Sequence, residues 1–231
     1  FYLDIKNANL AVINLIQGDS VLTFSSYRVF GVCLFLLLLS GCKNTHNLDK
    51  RAEIDMSAGY LQLPNQEKLR LMSHWELTGK IAVITPDERK SAYLNWQQAN
   101  QSIDFRLTNL IGVSLLNLSY DGKIARLDAD GENYEDVSTE ALIYRTTGWI
   151  LPLDNLPQWI KGSANEQDQV LLNESGLPKR IQPVCATCFG WEITYSQYQQ
   201  VQGVWLPFSV EVNNPIKQTR LKFKVNQWQR K

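Results

Sequence analysis

An excess of positive charge is missing from this chain. Its 231 residues carry 23 Lys and Arg against 23 Asp and Glu. A nucleic-acid binder needs a basic surplus to neutralise phosphates, so that class is excluded. Long apolar runs are missing too. Val29 to Leu39 spans eleven residues. A helix that crosses a bilayer wants roughly 18 or more, which excludes a polytopic membrane protein. Histidine is scarce. His46 and His74 stand far apart, and they build neither a His-rich metal cluster nor a His–Ser pair. The sequence holds no Gly-rich phosphate loop, no HExxH and no GxSxG. With 44% hydrophobic and 20% charged residues, a mostly disordered chain is excluded as well.

The one apolar run has the length of a signal-peptide core, and Arg28 precedes it. Leu39-Ser40-Gly41-Cys42 follows and resembles the bacterial lipobox. That resemblance implies a chain cut before Cys42, a diacylated Cys42 thiol and an acylated new amino terminus. The competing reading is a core helix ending at Gly41, but nothing polar patterns the run. Phe1 to Ser20 is neither cationic nor periodic, and it reads as an upstream extension of the frame. Cleavage leaves 190 residues with 21 charges of each sign, enough for one domain of moderate size. The expected organisation is an extension and signal peptide over 1–41, a lipid-anchored tether over 42–59, and one folded domain over 60–231. One acyl chain holds a bilayer only marginally, at about 0.8 kcal/mol per buried methylene, and two or more hold firmly. Lys43 rather than Asp follows the cysteine. By resemblance to enteric-type lipoproteins this points to the periplasmic face of the outer membrane.

Lys43 to Gly59 is polar and aperiodic, as a tether should be. Asn65 is placed to cap a short helix over Gln66 to His74. The period then changes from 3.6 to 2. Trp75, Leu77, Gly79, Ile81 and Val83 alternate with polar or small residues. The pattern predicts strands over Trp75–Ile84, Ser91–Gln98, Ile103–Leu107, Ser114–Tyr120 and Lys123–Ala129, with Asp121-Gly122 and Asp130-Gly131 as turns. Helical pattern follows. Ser138 or Thr139 caps Glu140 to Thr147, Asp154 caps a second helix through Trp159 to Lys161, and Gly148 and Gly162 are stops. Strands resume over Gln169–Asn173, Arg180–Val184, Trp191–Ser196, Val204–Val212 and Thr219–Val225. The expected class is mainly β (α+β): a curved antiparallel sheet, open like a half-barrel, with short helices covering a hydrophobic cavity.

Some residues carry chemistry. Leu110, Ile111, Gly112 and Val113 sit between two strands, where a turn should be polar. Burying one such aliphatic is worth about 1.5 to 3 kcal/mol. Either the pair caps the core, or its tip meets a leaflet or an acyl chain. Most of the seven Trp fall on alternating or helical positions, which suits a core, yet lipid chains need a wide apolar space. Candidate lining residues are Leu77, Ile81, Leu94, Trp96, Phe105, Leu116, Ile143, Trp149, Trp159 and Ile160. Asp128, Asp130, Glu132, Glu135 and Asp136 cluster near a turn and read as a solvated rim, with a basic partner surface as the alternative. Cys33 leaves with the signal and Cys42 carries lipid. Cys185 and Cys188 then remain, spaced CxxC. In an oxidising periplasm a local disulfide is favoured over zinc, which lacks two further ligands, and over a redox motif, which wants a helix after the first Cys.

Six segments form a set: Trp75-Glu-Leu-Thr-Gly-Lys-Ile-Ala-Val83, Ser91-Ala-Tyr-Leu-Asn-Trp96, Leu107-Thr-Asn-Leu-Ile-Gly112, Thr147-Gly-Trp-Ile-Leu-Pro-Leu153, Leu156-Pro-Gln-Trp-Ile-Lys-Gly162 and the closing Leu221 to Trp228. In order and spacing they resemble the outer-membrane lipoprotein receptor family LolB. The resemblance implies a half-barrel sheet with internal helices around a hydrophobic cavity. It implies a receptor, not an enzyme, that takes lipoproteins from a LolA-type periplasmic carrier and inserts them into the inner leaflet of the outer membrane. No ATP or other cofactor is implied beyond the lipid on Cys42, and the chain is expected to act as a monomer. The family presents an exposed aliphatic side chain on one loop, which aligns with Asn109 to Val113 and puts Ile111 in that position. Two features depart from the family: Leu110 stands where it often has Pro, and Cys185-Ala-Thr-Cys188 is outside its pattern. A structural or assembly lipoprotein bound to another envelope protein is the alternative function.

Overall fold

The computed structural model describes residues 63–129 and 131–231. Cys42, the apolar run before it, the tether, His46 and Asp130 lie outside the described residues. The order along the chain is α1 (Pro64–Leu71), β1 (His74–Ile84), β2 (Arg89–Ala99), β3 (Ser102–Thr108), β4 (Ser114–Tyr120), β5 (Ala125–Ala129) and β6 (Glu132–Asp136). It continues with α2 (Thr139–Thr147), α3 (Leu156–Trp159), β7 (Gln169–Leu172), β8 (Pro178–Gln182), β9 (Glu192–Val201), β10 (Val204–Asn214) and β11 (Thr219–Arg230). The strands form one sheet in the order β6-β5-β4-β3-β2-β1-β11-β10-β9-β8-β7. Every neighbouring pair is antiparallel. Two meanders, β1–β6 and β7–β11, meet where β1 pairs with β11, and the outer strands β6 and β7 leave the curved sheet unclosed.

Alternation decides which face is inside. In β1 the odd residues from Trp75 to Val83 are buried and the even ones are not. Antiparallel register then carries the apolar face across the sheet as ribs. One rib runs Trp228–Leu77–Trp96–Phe105–Leu118–Leu127–Tyr134 over seven strands. Another runs Val83–Leu221–Val212–Ile193–Ile181–Val170 over six. A single slip of register would turn a whole rib to water, so burial itself fixes the pairing. Gly79 sits in this face at a register shift. A Cβ there would lie 2.3 Å from the Lys224 carbonyl oxygen, which is why the position holds glycine.

Helices cover the apolar face. The Ser138 hydroxyl accepts from the Ala141 amide to start α2, and Gly148 ends it at φ +72. Leu142 and Ile143 are its buried apolar residues. The Tyr195 hydroxyl donates to the Trp159 carbonyl at 2.9 Å, and the rings of Trp159 and Trp191 lie 6.2 Å apart. These contacts seat α3 on β9.

Several expectations need correction. Asn65 does not cap α1, whose N-cap position is Leu63. Its amide instead pairs in both directions with the backbone of Trp205. The helix ends at Leu71, not His74. Asp154 does not cap α3; it accepts from the Thr139 hydroxyl, and Asn155 holds the N-cap place without a side-chain bond. The strand expected from Lys123 starts at Ala125, because the Asp121 carboxylate takes the amides of Lys123 and Ile124 into the turn. Strand β8 is displaced to Pro178–Gln182, before Pro183. β9 and β11 run on to Val201 and Arg230. The strand β6 is additional: Glu132, Glu135 and Asp136 lie on it, not on a loop. Arg126 pairs with Glu135 at 2.9 Å and Arg145 with Asp136 at 3.1 Å, so charges bind this edge to its neighbours.

Candidate functional site

Antiparallel topology sorts the connections into two sets. The β1–β2, β3–β4, β8–β9 and β10–β11 connections all leave the same end of the sheet. The β2–β3, β4–β5, β7–β8 and β9–β10 turns leave the other, and α1 is tied there through Asn65 to Trp205 and Lys68 to Gly203.

The β3–β4 loop is the clearest feature of the first end. Leu110 and Ile111 are each 81% exposed, and Val113 is also exposed. They are not loose. The Asn109 side-chain oxygen accepts from the amides of Ile111 at 3.0 Å and Val113 at 2.9 Å. The Asn109 amide donates to the Val113 carbonyl, and the Gly112 amide donates to the Asn109 carbonyl. Gly112 takes φ +85, a conformation that would strain an L side chain. Four hydrogen bonds thus close a small ring that points two aliphatics into solvent. The reading in which the pair caps the core is set aside by this exposure. Stiffness that a Pro at 110 would supply comes here from Asn109, and an Asn opening a tight turn was the available sequence signal.

All ten candidate lining residues are buried and belong to one apolar cluster. Leu77 and Ile81 lie on β1, Leu94 and Trp96 on β2, Phe105 on β3 and Leu116 on β4, all on the inner face. Ile143 comes from α2, Trp149 from the segment after it, and Trp159 and Ile160 from α3 and its end. They divide into two groups. Trp96 and Phe105 stack edge to face at 5.5 Å, and Trp75 packs on Trp96 at 5.0 Å and on Trp228 at 5.3 Å. This aromatic block fills the inner face on the α1 side. Ile81, Leu94 and Leu116 lie nearer the exposed loop. The Trp149 indole donates to Glu88 in the β1–β2 connection at 2.6 Å, with Lys90 paired to that carboxylate at 2.9 Å. Lys90 first and the indole second hold the Glu88 carboxyl below its usual range. Among the described residues, surface clefts of about 500, 440 and 190 Å³ have mostly polar residues in their walls, and none of the ten candidates lines them.

Two further features lie off that list. Lys161 is buried, and its ammonium donates to the carbonyls of Leu69 at 3.0 Å and Met72 at 2.9 Å, the free end of α1. Burial lowers its pKa to about 8. Beside it the buried Gln66 donates to Ser163 and to the Ala164 carbonyl. Cys185 and Cys188 are joined by a disulfide, with Cα atoms 4.9 Å apart, in the β8–β9 connection. Among the described residues no group of three His, Cys, Asp or Glu is placed to hold a metal ion. None of their helices is long and apolar enough to cross a membrane.

Comparison with known proteins bears on this geometry. The family model described as "Outer membrane lipoprotein LolB" matches residues 73–228, nearly the whole described sheet. A protein named outer-membrane lipoprotein LolB from Pseudoalteromonas translucida is 32% identical over 202 residues, covering 87% of this chain and 94% of that one. Those of the same name from Aeromonas salmonicida and Aeromonas hydrophila are 34% and 35% identical, each covering 84% of this chain and 92% of its relative. The matched stretch includes the open sheet, the covering helices and the loop that displays Ile111, and the chain belongs to the LolB family of outer membrane lipoproteins.

Proposed function

We propose that this protein is an outer-membrane receptor that accepts lipoproteins from a LolA-type periplasmic carrier and passes their acyl chains into the inner leaflet of the outer membrane, without ATP and without catalysis. Lipid on Cys42 holds it there. The 22 residues from Cys42 to Leu63 reach at most about 75 Å, while the eleven residues of β1 rise about 36 Å. The tether is therefore long enough for the loop end to face the bilayer although α1 starts at the opposite end.

The acyl-chain site is the apolar face near that loop, with Ile81, Leu94, Leu116, Ile143, Trp149, Trp159 and Ile160 as its walls. Chains enter as the helices part from the sheet there, and the aromatic block on the α1 side stays closed. Leu77, Trp96 and Phe105 then belong to the floor. Handover needs only a ranking of affinities: tighter than the carrier, weaker than the bilayer. Each tenfold step costs about 1.4 kcal/mol, less than two buried methylenes supply. Leu110, Ile111 and Val113 form the contact with the leaflet through which cargo leaves.

One observation carries this proposal: in this member of a family of outer-membrane lipoproteins, the Asn109 side-chain oxygen braces a loop that shows two aliphatics to water. Carrier-bound lipoprotein mixed with this protein and liposomes provides the test. Lipoprotein should move to the vesicles with the native protein and stall on the receptor with I111E. Delivery by I111E at the native rate, or a stable stoichiometric complex with an envelope protein and no binding of an apolar probe, would defeat it.

A further inference from the structure

A second apolar tip stands at the same end of the sheet. Phe189 is 77% exposed and Ile216 is 64% exposed; Val184, five residues before Phe189, is exposed too. Phe189 follows the Cys185–Cys188 bridge in the β8–β9 connection, and Ile216 tops the β10–β11 turn. Asn214, itself fully buried, keys the two together. Its side-chain nitrogen donates to the Phe189 carbonyl at 2.9 Å, and its oxygen accepts from the amides of Ile216 and Lys217. Gly190 closes the gap, since a Cβ there would lie 3.0 Å from the Ile216 side chain and 2.9 Å from the Asn214 oxygen. The Lys217 ammonium lies 5.6 Å from the centre of the Trp191 ring. A disulfide, a buried amide and a glycine thus hold an apolar tip outside the core, with a cation next to it.

We propose that this tip is a second bilayer contact: Phe189 and Ile216 enter the boundary between headgroups and acyl chains of the same leaflet, and Lys217 meets lipid phosphate. The proposal rests on the reading that Ile111 faces that leaflet. Three observations select a membrane as the occupant. The family is held at one. The tip leaves the same end of the sheet as the β3–β4 loop. Its composition, rigid apolar residues beside a lysine, is that of interfacial anchors. Along the sheet the two turns that form the tip lie four and six strand spacings from the β3–β4 loop, roughly 19 and 29 Å. One contact would leave the tilt of the domain unfixed. Two contacts that far apart set its tilt, and they turn the helix-covered face near Ile81 toward the lipid in a fixed attitude.

The lipidated, oxidised full chain tests this when single cysteines are introduced and labelled with an environment-sensitive fluorophore. I216C and I111C report the two contacts, and Q101C, in the β2–β3 turn at the other end, is the control. Vesicles of phosphatidylethanolamine and phosphatidylglycerol carry nitroxide on the acyl chains near the headgroups. The expected result is a blue shift and loss of emission at 216 and at 111, with no change at 101. Quenching at 111 with a water-like spectrum at 216 overturns the second contact and leaves the Ile111 reading standing. A water-like spectrum at both overturns both. A label at 216 that is shielded only when the carrier is added marks a protein contact and overturns the proposal. Quenching at all three positions shows the domain lying unspecifically on the lipid, which also overturns it.

Discussion

Two neighbouring hairpin connections of this sheet are built alike and clothed differently. In the β3–β4 loop the Asn109 side-chain oxygen takes the amides two and four residues on. In the β4–β5 loop the Asp121 carboxylate takes the amides two and three residues on. Each has a glycine at positive φ, Gly112 and Gly122. Yet one shows Leu110 and Ile111 to solvent, and the other shows Lys123, with Arg126 paired to Asp121 at 3.2 Å. Backbone geometry therefore does not demand aliphatics at a loop tip here. The polar version is on the same molecule, one strand away, at the opposite end of the sheet. The apolar dress of the first loop has to be explained by what it meets.

Exchanging the dress breaks this comparison most directly. Leu110→Gly combined with Ile111→Lys gives the first loop the chemistry of the second. Both native side chains are almost fully in water, so stability should change by no more than about 0.5 kcal/mol. Delivery of lipoprotein to liposomes should fall by more than about tenfold, because each aliphatic forgoes about 1.5 to 3 kcal/mol of transfer into an apolar phase. Denaturation curves and the delivery assay on one preparation check both halves. Unchanged delivery would make the two loops equivalent after all.

A change that touches both ends equally gives the contrast. Gly79→Ala forces a Cβ against the Lys224 carbonyl where β1 and β11 join the two meanders. The expected loss is about 3 kcal/mol of stability, the cost of overpacking against backbone that cannot swing away. Delivery should then follow the folded fraction, whereas the loop exchange lowers it at full folding.

The α1 side has its own signature, in pH. Lys161 is charged at neutral pH while buried, and burial lowers its pKa from 10.5 to about 8. Between those values the unfolded chain holds the proton and the folded chain has released it. Unfolding takes up a proton, and stability rises with pH through that window. Lys161→Met should flatten the rise from about pH 8 to 10 in denaturant titrations. It should leave delivery per folded molecule unchanged at neutral pH, since the bonds to Leu69 and Met72 hold α1 away from the loop end. An identical alkaline slope in the variant would show that the proton is bound elsewhere.

How much of this was legible in the sequence depended on burial. Strands β1 to β4 alternate cleanly because each has one face in the core, and Ser138 and Gly148 announced α2 by local chemistry. Strand β6 is not legible because an edge strand buries little: of Glu132 to Asp136 none is fully buried, and only Tyr134 adds to the core. Its pairing rests on ladder bonds and on Arg126 and Arg145, which leave no period to read. Asn65 looked like a cap, since a cap is local, but its partner is Trp205, 140 residues away. Lys161 and Asn214 were silent for the same reason: their roles are contacts between distant turns. The exposed aliphatics of the β3–β4 loop were legible as a violation of turn chemistry. Phe189 and Ile216 violate it as well, but each stands singly in its own segment and becomes a patch only when Asn214 brings the two together.

The smallest expected effect separates stiffness from greasiness in the comparison of the two loops. Asn109→Ala removes the acceptor for the Ile111 and Val113 amides but keeps both aliphatics. The amides return to water, so stability should fall by only about 1 kcal/mol. Asp121→Ala should cost a similar amount, and it also frees Arg126 from one of its two carboxylates. Each substitution removes the side-chain acceptor of two loop amides, and the two differ in which loop they loosen. If a rigid tip enters the leaflet more readily because its ordering cost is met in advance, Asn109→Ala slows delivery a few-fold, about 1 kcal/mol, and Asp121→Ala does not slow it. Proline at 110 in the Asn109→Ala background should then recover part of the rate, since it fixes φ without the side-chain acceptor. Equal delivery from both alanine variants would mean that the loop acts by its composition alone, and that the hydrogen bonds around Asn109 serve only the turn.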